Sequence, residues 1–259
     1  MGSAGRRVAP GMAPSAPALL VIGHDVDDAT TLVQAGTLAS WAADRGVHVV
    51  PGTAGSPDLP GAGDVDAIAV LGSTEGAWDD GVPWLADEMA LLRDADRRGT
   101  PILGICFGGQ VLARVLGGRV GPGDRPENGW LTVATDEPAT VATGPWMEFH
   151  FDTFTTPPGA ERLATSALCD QAFRAGPHLG VQFHPEITPA AFETWARRWA
   201  GTELEARLPA LGVSTEGLRA EIAERAGASR AASWALFDAF AARAGIDSRM
   251  LIRTPRSEA

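Results

Sequence analysis

Residues 101–111 read P-I-L-G-I-C-F-G-G-Q-V, and this stretch decides the fold. Its first five residues suit a buried strand, and residues 111–116 suit a helix. A strand, a sharp turn and a helix in this order form the layout of a nucleophile elbow. Gly104 and Gly108 leave room for such a turn, because a Cβ at either position would crowd the neighbouring strand or helix. The stretch therefore predicts an α/β fold with Cys106 at the apex of the elbow.

The predicted position of Cys106 suits a nucleophile. At the apex, its sulfur would stand above the sheet and at the N-terminus of the following helix. Free N–H groups and the helix dipole at that point favour the thiolate, which is the reactive form of cysteine. The alternative is a buried cysteine in an α/β core, which is the commoner role of a lone cysteine. The glycines on both sides of Cys106 favour the nucleophile.

A second motif supplies the groups that a cysteine nucleophile needs. Residues 180–186 read G-V-Q-F-H-P-E, which predicts a strand that runs up to His184. Residues two apart on an extended segment point the same way, so Glu186 is expected beside His184. A cysteine nucleophile requires a base, and the base requires an orienting group. Alone, this motif would be interpreted as a strand end; with the elbow, it predicts a triad of Cys106, His184 and Glu186.

The two motifs together resemble those of the class I, or triad, glutamine amidotransferases. The resemblance runs from about residue 19 to residue 199 and is nearest to the stand-alone branch related to the amidotransferase domain of GMP synthetase. It implies that Cys106 is the nucleophile, His184 the general base and acid, and Glu186 the orienting carboxylate. It also implies the flavodoxin-like fold of that family, an open and mostly parallel sheet flanked by helices.

Strand and helix signals alternate upstream of the elbow. Strands are predicted over residues 18–22, 47–50, 66–71 and 101–105. Helices are predicted over residues 31–45 and 83–98. This alternation predicts a parallel sheet with right-handed crossovers. Residues 130–183 carry short, β-rich segments separated by turns, and we expect antiparallel additions there that bring His184 back to the elbow.

Three parts are expected along the chain. Residues 1–17 are rich in Gly, Ala, Ser and Pro and predict a disordered leader. Residues 18–200 are expected to form the amidotransferase-like domain, and residues 201–259 a helical C-terminal extension. Within the extension, residues 217–225 and 231–243 carry apolar side chains at helical spacing, which predicts two helices that dock on the main domain or, as the alternative, offer a face to a partner.

An oxyanion hole is also expected, since acyl transfer usually uses two backbone N–H groups to hold the developing charge. The amide of Phe107, directly after the nucleophile, is predicted to be one donor. The other is predicted in the turn that follows strand 66–71, at Gly72 or Ser73, and the resemblance points to the same turn. Many relatives have a second glycine and then a proline where this chain has Ser73 and Thr74.

The resemblance also implies a set of substrate contacts: Gln110, Glu127, His150, Phe151 and Asp152. Gln110, one helical turn beyond the nucleophile, is expected to hydrogen-bond the amino acid end of the substrate, or else to be a helix cap or core contact. Glu127 is expected to receive the substrate's ammonium group, or else to be a solvated loop carboxylate. Residues 149–152 match a segment whose backbone holds the glutamine carboxylate, although Phe151 stands where a glycine is common. His24 follows the first strand at the edge where α/β sites open.

Composition excludes several function classes. The formal net charge is −11 and all 21 basic residues are arginine, so the chain lacks the basic stripe of a nucleic-acid-binding protein. No stretch has the length of a membrane-spanning helix, and the first apolar run is too short for a signal-peptide core, so a cytoplasmic protein is expected. Arginine-only basicity with abundant Ala and Gly suggests a bacterial source. The two cysteines form no C-x-x-C motif, and no metal or organic cofactor is expected.

Three functions remain open on the sequence. The first is a glutaminase subunit that supplies ammonia to a separate synthetase, since the sequence has no lysine for an ATP-binding G-x-x-x-x-G-K-S/T loop. The second is a free-standing γ-glutamyl hydrolase or peptidase. The third is a non-catalytic binding or regulatory subunit, against which the intact Cys106, His184 and Glu186 argue. We favour the first, with glutamine or another γ-glutamyl amide as substrate.

Overall fold

The computed structural model of the chain describes residues 16–246. Nearly all of the predicted leader, residues 1–15, lies outside the described residues, as does the end of the predicted extension. The ten strands of the described residues are β1 (Ala18–Gly23), β2 (His48–Thr53), β3 (Ala67–Val70), β4 (Ile102–Ile105), β5 (Val120–Leu131), β6 (Ala134–Thr135), β7 (Trp146–Phe154), β8 (Glu161–Thr165), β9 (Asp170–Ala175) and β10 (His178–Val181).

The main sheet has the spatial order β2-β1-β3-β4-β10-β9-β8-β6. Its first five strands are parallel, whereas β9, β8 and β6 pair in antiparallel fashion. The antiparallel hairpin of β8 and β9 returns the chain to β10, which pairs in parallel with β4 and so ends beside the elbow. Separately, β5 and β7 form a two-stranded antiparallel sheet. The predicted α/β fold with a mostly parallel sheet is confirmed.

Helices cover both faces of the main sheet. The α-helices of the described residues are α1 (Asp28–Gln34), α2 (Gly36–Arg45), α3 (Leu85–Arg98), α4 (Phe107–Val115), α5 (Pro189–Trp199), α6 (Glu203–Arg207) and α7 (Thr215–Ala244). Alternate residues of the strands enter two separate cores: Val21 and Leu103 pack with α2 and α7 on one face, and Leu20 and Ile102 pack with α3 and α4 on the other. All residues of β3 and β4 are buried, as expected for parallel strands covered on both sides.

The helix predicted over residues 31–45 is wrong in one respect, because it is two helices. Gly36 has a φ of +46°, a conformation that L side chains rarely adopt, and a Cβ there would collide with the carbonyl oxygen of Glu186. The chain therefore bends at this point, and α1 and α2 are separate helices. Asp27 caps α1 by accepting a hydrogen bond from the backbone N–H of Thr30 at 2.7 Å.

The two helices predicted over residues 217–225 and 231–243 are instead one helix of 30 residues, α7. The residues between the two predicted segments are Ala226, Gly227, Ala228, Ser229 and Arg230, and none of them forces a break. Alanine favours helix, and the single glycine costs less than the gain from continuous packing. Buried Ser233 donates its hydroxyl to the carbonyl of Ser229 at 2.8 Å, which satisfies a polar side chain inside the helix.

The C-terminal helix packs against the rest of the chain. Phe237 of α7 is fully buried and contacts the ring of Trp41 in α2, with centroids 5.9 Å apart. Leu236 and Phe240 join the same core. The domain boundary at residue 200 stays a prediction. Within the described residues, none of the helices is long and apolar enough to span a membrane.

Candidate active site

Cys106 connects β4 to α4 in a strained conformation, with a φ of 53° and a ψ of −110°. Within residues 16–246, Asp25 is the only other non-glycine residue with a positive φ. Such strain persists where the surroundings enforce it, and it clusters at functional sites. A Cβ on Gly104 would stand 2.5 Å from the carbonyl oxygen of Gly108, and one on Gly108 would collide with the carbonyl of Val70. These close approaches explain why both positions of the elbow are glycine.

His184 follows β10 and is held next to Glu186. Its Nδ1 lies 2.8 Å from Glu186 Oε1, so the ring donates to the carboxylate and presents Nε2 on its other side. Its backbone N–H donates to the carbonyl of Met147 at 2.8 Å, which ties the segment to β7. The turn at Gly72 lies beside both His184 and Cys106, because a Cβ on Gly72 would stand 3.2 Å from His184 Cε1 and 3.9 Å from Cys106 Cβ.

The electrostatics of His184 favour its charged form. Burial by itself would lower the pKa of the imidazole. The negative charges of Glu186 and Cys106, with a hydrogen bond to each, outweigh burial and raise the pKa well above its ordinary value. The arrangement therefore supports a protonated His184 between the Glu186 carboxylate and the Cys106 sulfur.

Glu186 is buried and is anchored through its backbone by α2. Its neighbour Pro185 accepts a hydrogen bond from the hydroxyl of Thr37 at 2.6 Å. One oxygen of the Glu186 carboxylate holds His184, and the other, Oε2, has no partner among the described residues. Among the described residues, the imidazole of His184 is therefore the one hydrogen-bonding partner of the Glu186 carboxylate.

The turn predicted to hold the oxyanion lies against the elbow. Gly72 and Ser73 line a cavity together with Phe107. The backbone N–H of Gly108 donates to the carbonyl of Leu71 at 3.2 Å, so the turn and the first residues of α4 are linked directly. The two segments that are expected to supply the oxyanion donors therefore face the same space.

That cavity has a volume of about 660 Å³ and opens at the carboxyl ends of the parallel strands. It contains most of the site residues predicted from the sequence, namely Gly72, Ser73, Cys106, Phe107, Gln110, His150, Phe151, Asp152, His184 and Glu186. Its outer wall is formed by aromatic and charged side chains, namely Phe149, Trp195, Arg198, Trp199 and Arg207. Trp78 reaches over the mouth and donates its indole N–H to Asp152 Oδ2 at 2.8 Å.

His150 is buried between two carboxylates. Its Nε2 lies 3.4 Å from Glu127 and 3.3 Å from Glu148, and its Nδ1 donates to the carbonyl of Asp152 at 3.0 Å. Burial alone would lower the pKa of this imidazole, but its interactions with the two nearby carboxylates outweigh burial and raise the pKa to about 9. His150 thus carries a positive charge, and it holds the backbone of the cavity wall at Asp152.

Glu127 does not line the cavity, which corrects the expectation that it contacts the substrate or stands in solvent. It is buried behind His150, because β5 and β7 pair Glu127 opposite His150. Its Oε2 accepts hydrogen bonds from Ser166, Cys169 and Gln171 at 3.1, 3.2 and 2.9 Å. These three hydrogen bonds offset the cost of burying the Glu127 carboxylate. Burial and the carboxylate of Glu127 raise the pKa of the Cys169 thiol.

Gln110 lines the cavity but is also engaged by the protein. Its amide donates to the carbonyl of Asp152 at 2.9 Å and approaches Gln182 Oε1 at 3.3 Å. Gln182 in turn directs its amide toward Cys106 Sγ at 3.7 Å. Gln110 therefore makes the core contact that was its alternative role, and its hydrogen bond to a substrate stays a prediction.

A family model described as "Glutamine amidotransferase class-I" matches residues 44–198, which include the elbow and the His184 segment. The chain belongs to the class I glutamine amidotransferases. The family resemblance drawn from the two motifs is confirmed.

Relatives of this amidotransferase include GMP synthases. The glutamine-hydrolysing GMP synthase of Thermomicrobium roseum is 44% identical over 96 residues, which cover 34% of this chain and 18% of that protein. One subunit of the glutamine-hydrolysing GMP synthase of Ignicoccus hospitalis is 38% identical over 96 residues, which cover 34% of this chain and 51% of that subunit. The matched part of the amidotransferase thus spans about a fifth of the first relative and about half of the second.

Solved structures share the fold over most of the chain. A glutamine amidotransferase from Methylobacillus flagellatus superposes with a TM-score of 0.74 at 22% identity, covering 89% of this chain and 96% of that chain. One from Thermotoga maritima gives a TM-score of 0.74 at 23% identity, covering 86% and 97%. At these identities, the likeness shows the fold alone.

Several residues of the amidotransferase site were not predicted from the sequence. Gln182 stands two residues before His184, and the same alternation that predicted Glu186 would have placed it on the same side of the strand. Trp195 and Trp199 are four residues apart on α5, a spacing that puts both on one helix face. The ring of Trp195 lies 4.7 Å from that of His184. The helical spacing of Trp195 and Trp199 was therefore the sequence pattern that could have predicted the aromatic wall of the cavity.

Proposed function

We propose that this amidotransferase hydrolyses the side-chain amide of glutamine through a Cys106–His184–Glu186 triad and a thioester intermediate, and that it delivers ammonia to a separate acceptor enzyme. The observation that carries the proposal is the 2.8 Å hydrogen bond from His184 to Glu186 beside the strained Cys106. Because Nδ1 is engaged by the carboxylate, Nε2 is the nitrogen available to exchange a proton at the reaction centre.

The first half of the reaction breaks the C–N bond of the amide. The Cys106 thiolate attacks the carbonyl carbon, and the resulting oxyanion accepts hydrogen bonds from the backbone N–H groups of Phe107 and of the Gly72–Ser73 turn. The His184 imidazolium then protonates the leaving nitrogen. Ammonia departs, and a γ-glutamyl thioester remains on Cys106.

The second half releases glutamate. Neutral His184 removes a proton from water, and the hydroxide attacks the thioester carbonyl in the same oxyanion hole. The C–S bond breaks, glutamate leaves, and the thiolate–imidazolium pair forms again. His184 thus gives one proton to the leaving nitrogen and takes one from water, and the γ-carboxylic acid of the product loses the other proton of that water to solvent. Neither half requires electron transfer.

Support for a separate acceptor comes from the relatives. One of them is named as a single subunit of a glutamine-hydrolysing GMP synthase, and the amidotransferase matches about half of its length. The sequence contains no lysine, so none of its loops can supply the lysine that binds nucleotide phosphates in a P-loop. We therefore propose that ATP-dependent activation of the acceptor takes place outside these residues, and the relative named as a separate subunit supports a separate synthetase.

The test measures glutamate release from glutamine together with labelling by a diazoketone analogue of glutamine. Cys106→Ala should abolish both, whereas Cys169→Ser, which changes the other cysteine, should retain both. Slow release that a candidate synthetase accelerates is the expected result. If folded wild-type protein gives neither release nor labelling of Cys106, with or without the synthetase, the proposal fails and a non-catalytic role is favoured.

A second candidate function is a free-standing γ-glutamyl hydrolase, and the size of the cavity favours it. A volume of about 660 Å³ lies in the range of sites that bury drug-sized ligands, and free glutamine is far smaller. Phe149, Trp195 and Trp199 form an apolar wall on which a larger leaving amine would pack. Rapid release of glutamate from γ-glutamyl anilides or peptides, with slow release from glutamine, would select this function over the first.

A further inference from the structure

We propose that His24, held in place by Glu88, is a positioning residue that sets the geometry of the oxyanion turn at Gly72 and Ser73. This inference rests on the proposed hydrolysis at Cys106. His24 directly follows β1 and is only 2% exposed. Its ring stands between the turn after β3 and the first turn of α3, and it makes a polar contact at each end.

The two ring nitrogens of His24 both face acceptors. Nδ1 lies 3.0 Å from the carbonyl oxygen of Gly72, and Nε2 lies 3.2 and 3.3 Å from the two carboxylate oxygens of Glu88. A carbonyl oxygen only accepts, so Nδ1 carries the hydrogen. Glu88 is itself only 3% exposed, so the ring is held from behind by a partner that is as buried as it is.

Peptide geometry converts this contact into an orientation of the oxyanion donor. In a planar trans peptide, the C=O of one residue and the N–H of the next point in opposite directions. When the Gly72 carbonyl is fixed on His24, the N–H of Ser73 points to the other side of that peptide. Cys106 and His184 border this turn, so an N–H on the side away from His24 would be available to an oxyanion formed at Cys106.

The same imidazole contacts the other half of the oxyanion hole. Its ring packs edge-on against the ring of Phe107, with centroids 4.8 Å apart, and against Trp84 at 4.7 Å. Phe107 is the residue whose backbone N–H is the first predicted donor. A single buried side chain thus contacts both donor segments.

The backbone at His24 and Asp25 is held by more contacts than packing of a core side chain would require. The next residue, Asp25, has a φ of 53°. Arg198 of α5 donates to the carbonyl oxygens of His24 and Asp25 at 2.9 and 3.3 Å. Trp84 donates its indole N–H to the Asp25 carboxylate at 3.3 Å. Backbone strain that is held by α5 and by the residue before α3, next to a side chain that reaches the site, is the pattern expected of a positioning residue.

The test compares His24→Phe, which retains a ring but loses the donor to Gly72, with His24→Asn, which restores an N–H near the position of Nδ1. Removing an oxyanion donor outright costs about 100-fold to 1,000-fold in kcat, so a displaced donor should cost about 10-fold to 100-fold. We expect that loss in kcat for His24→Phe with little change in KM, and partial recovery in His24→Asn. Glu88→Gln, which retains a hydrogen-bonding partner, should cost less than His24→Phe.

Two further measurements separate positioning from a general loss of structure. A glutamine analogue with an aldehyde in place of the amide forms a tetrahedral adduct whose oxygen needs the oxyanion donors. Its affinity should fall in His24→Phe by the same factor as kcat. Alkylation of Cys106 by iodoacetamide does not use the oxyanion hole, so its rate should stay at the wild-type level.

The matched control is His178→Phe. His178 is also buried, also contacts an acid of α3 (Asp96, at 3.1 Å), and also lies at the sheet, but it is remote from the cavity. It should lose stability and keep kcat and aldehyde affinity. Wild-type kcat and aldehyde affinity in His24→Phe would overturn the inference, as would equal losses in both variants. Absence of turnover and of Cys106 labelling in the wild type would overturn the proposed function instead.

Discussion

Thr37, at the start of α2, donates its backbone N–H to the carbonyl oxygen of Glu186 at 2.9 Å. The contact is possible only because the preceding residue, Gly36, brings no Cβ against that carbonyl. The N-terminus of a helix near the chain's beginning therefore holds the acidic member of the candidate triad. The position of Glu186, and through it the orientation of His184, depends on this packing.

Gly36→Ala should destabilise the protein and slow glutamine hydrolysis. The left-handed backbone conformation costs an alanine about 1–2 kcal/mol, and the collision with Glu186 adds to it. Gly99→Ala is the matched control, since Gly99 has a φ of +71° but nothing within 4 Å of an added Cβ. Urea unfolding and glutamate release measure both effects. If Gly36→Ala and Gly99→Ala lose the same stability and the same activity, the contact between residue 36 and Glu186 does not affect function.

Glu186→Gln should lower kcat by about 100-fold or more, because general acid–base catalysis by a well-oriented group contributes about 100-fold to 10,000-fold. Removing the carboxylate charge also lowers the pKa of His184, which that charge raises. The imidazolium that protonates the leaving nitrogen then loses its proton at lower pH. The alkaline limb of the kcat profile should move to lower pH in the variant. A smaller kcat with an unmoved alkaline limb would contradict this role.

His150 should make stability depend on pH above neutrality. Its pKa is raised from 6.5 to about 9 in the folded protein, so its contribution is fully present below pH 6.5 and is lost as the pH rises through about 9. We expect the difference in unfolding free energy between the wild type and His150→Gln to fall by about 2–4 kcal/mol between pH 6 and pH 10. Urea unfolding at several pH values measures it, and a constant difference would contradict the charged state of His150.

Phe237→Ala should cost about 3–5 kcal/mol in unfolding free energy, as for other large aromatic side chains removed from a core. Since Phe237 shares a core with β1 and β4, we expect one cooperative transition in which α7 and the sheet unfold together. Leu32→Ala, at a side chain that is 40% exposed, should have little effect. A separate early transition for α7 would contradict the shared core and favour an independent extension.

The sequence predicts those parts of the site that depend on short spacings. The elbow around Cys106 and the pair His184–Glu186 are each contained in a few residues, and their glycine and alternation patterns carry the geometry. The order of strands and helices follows from local patterns in the same way. For these features, the local preference and the tertiary structure agree.

The remaining features depend on contacts between distant segments. The bend at Gly36 is imposed by the carbonyl of Glu186, which no pattern near residue 36 reveals. The burial of Glu127 depends on the register of β5 and β7, which shifts between Pro122 and Glu127. The contact of His24 with Gly72 requires β1 and β3 to be neighbours. Single-sequence patterns contain none of these pairings, so the corresponding roles emerge only from the folded chain.

The hydrogen bond between Trp78 and Asp152 has a practical consequence. Trp78 is 46% exposed and lines the cavity. A ligand that extends past the mouth must break or shield that bond, and either event changes the polarity around the ring. The fluorescence of Trp78, isolated as the difference between the wild type and Trp78→Phe, would therefore report ligand binding in the cavity. Compounds could be ranked by this signal without an activity assay.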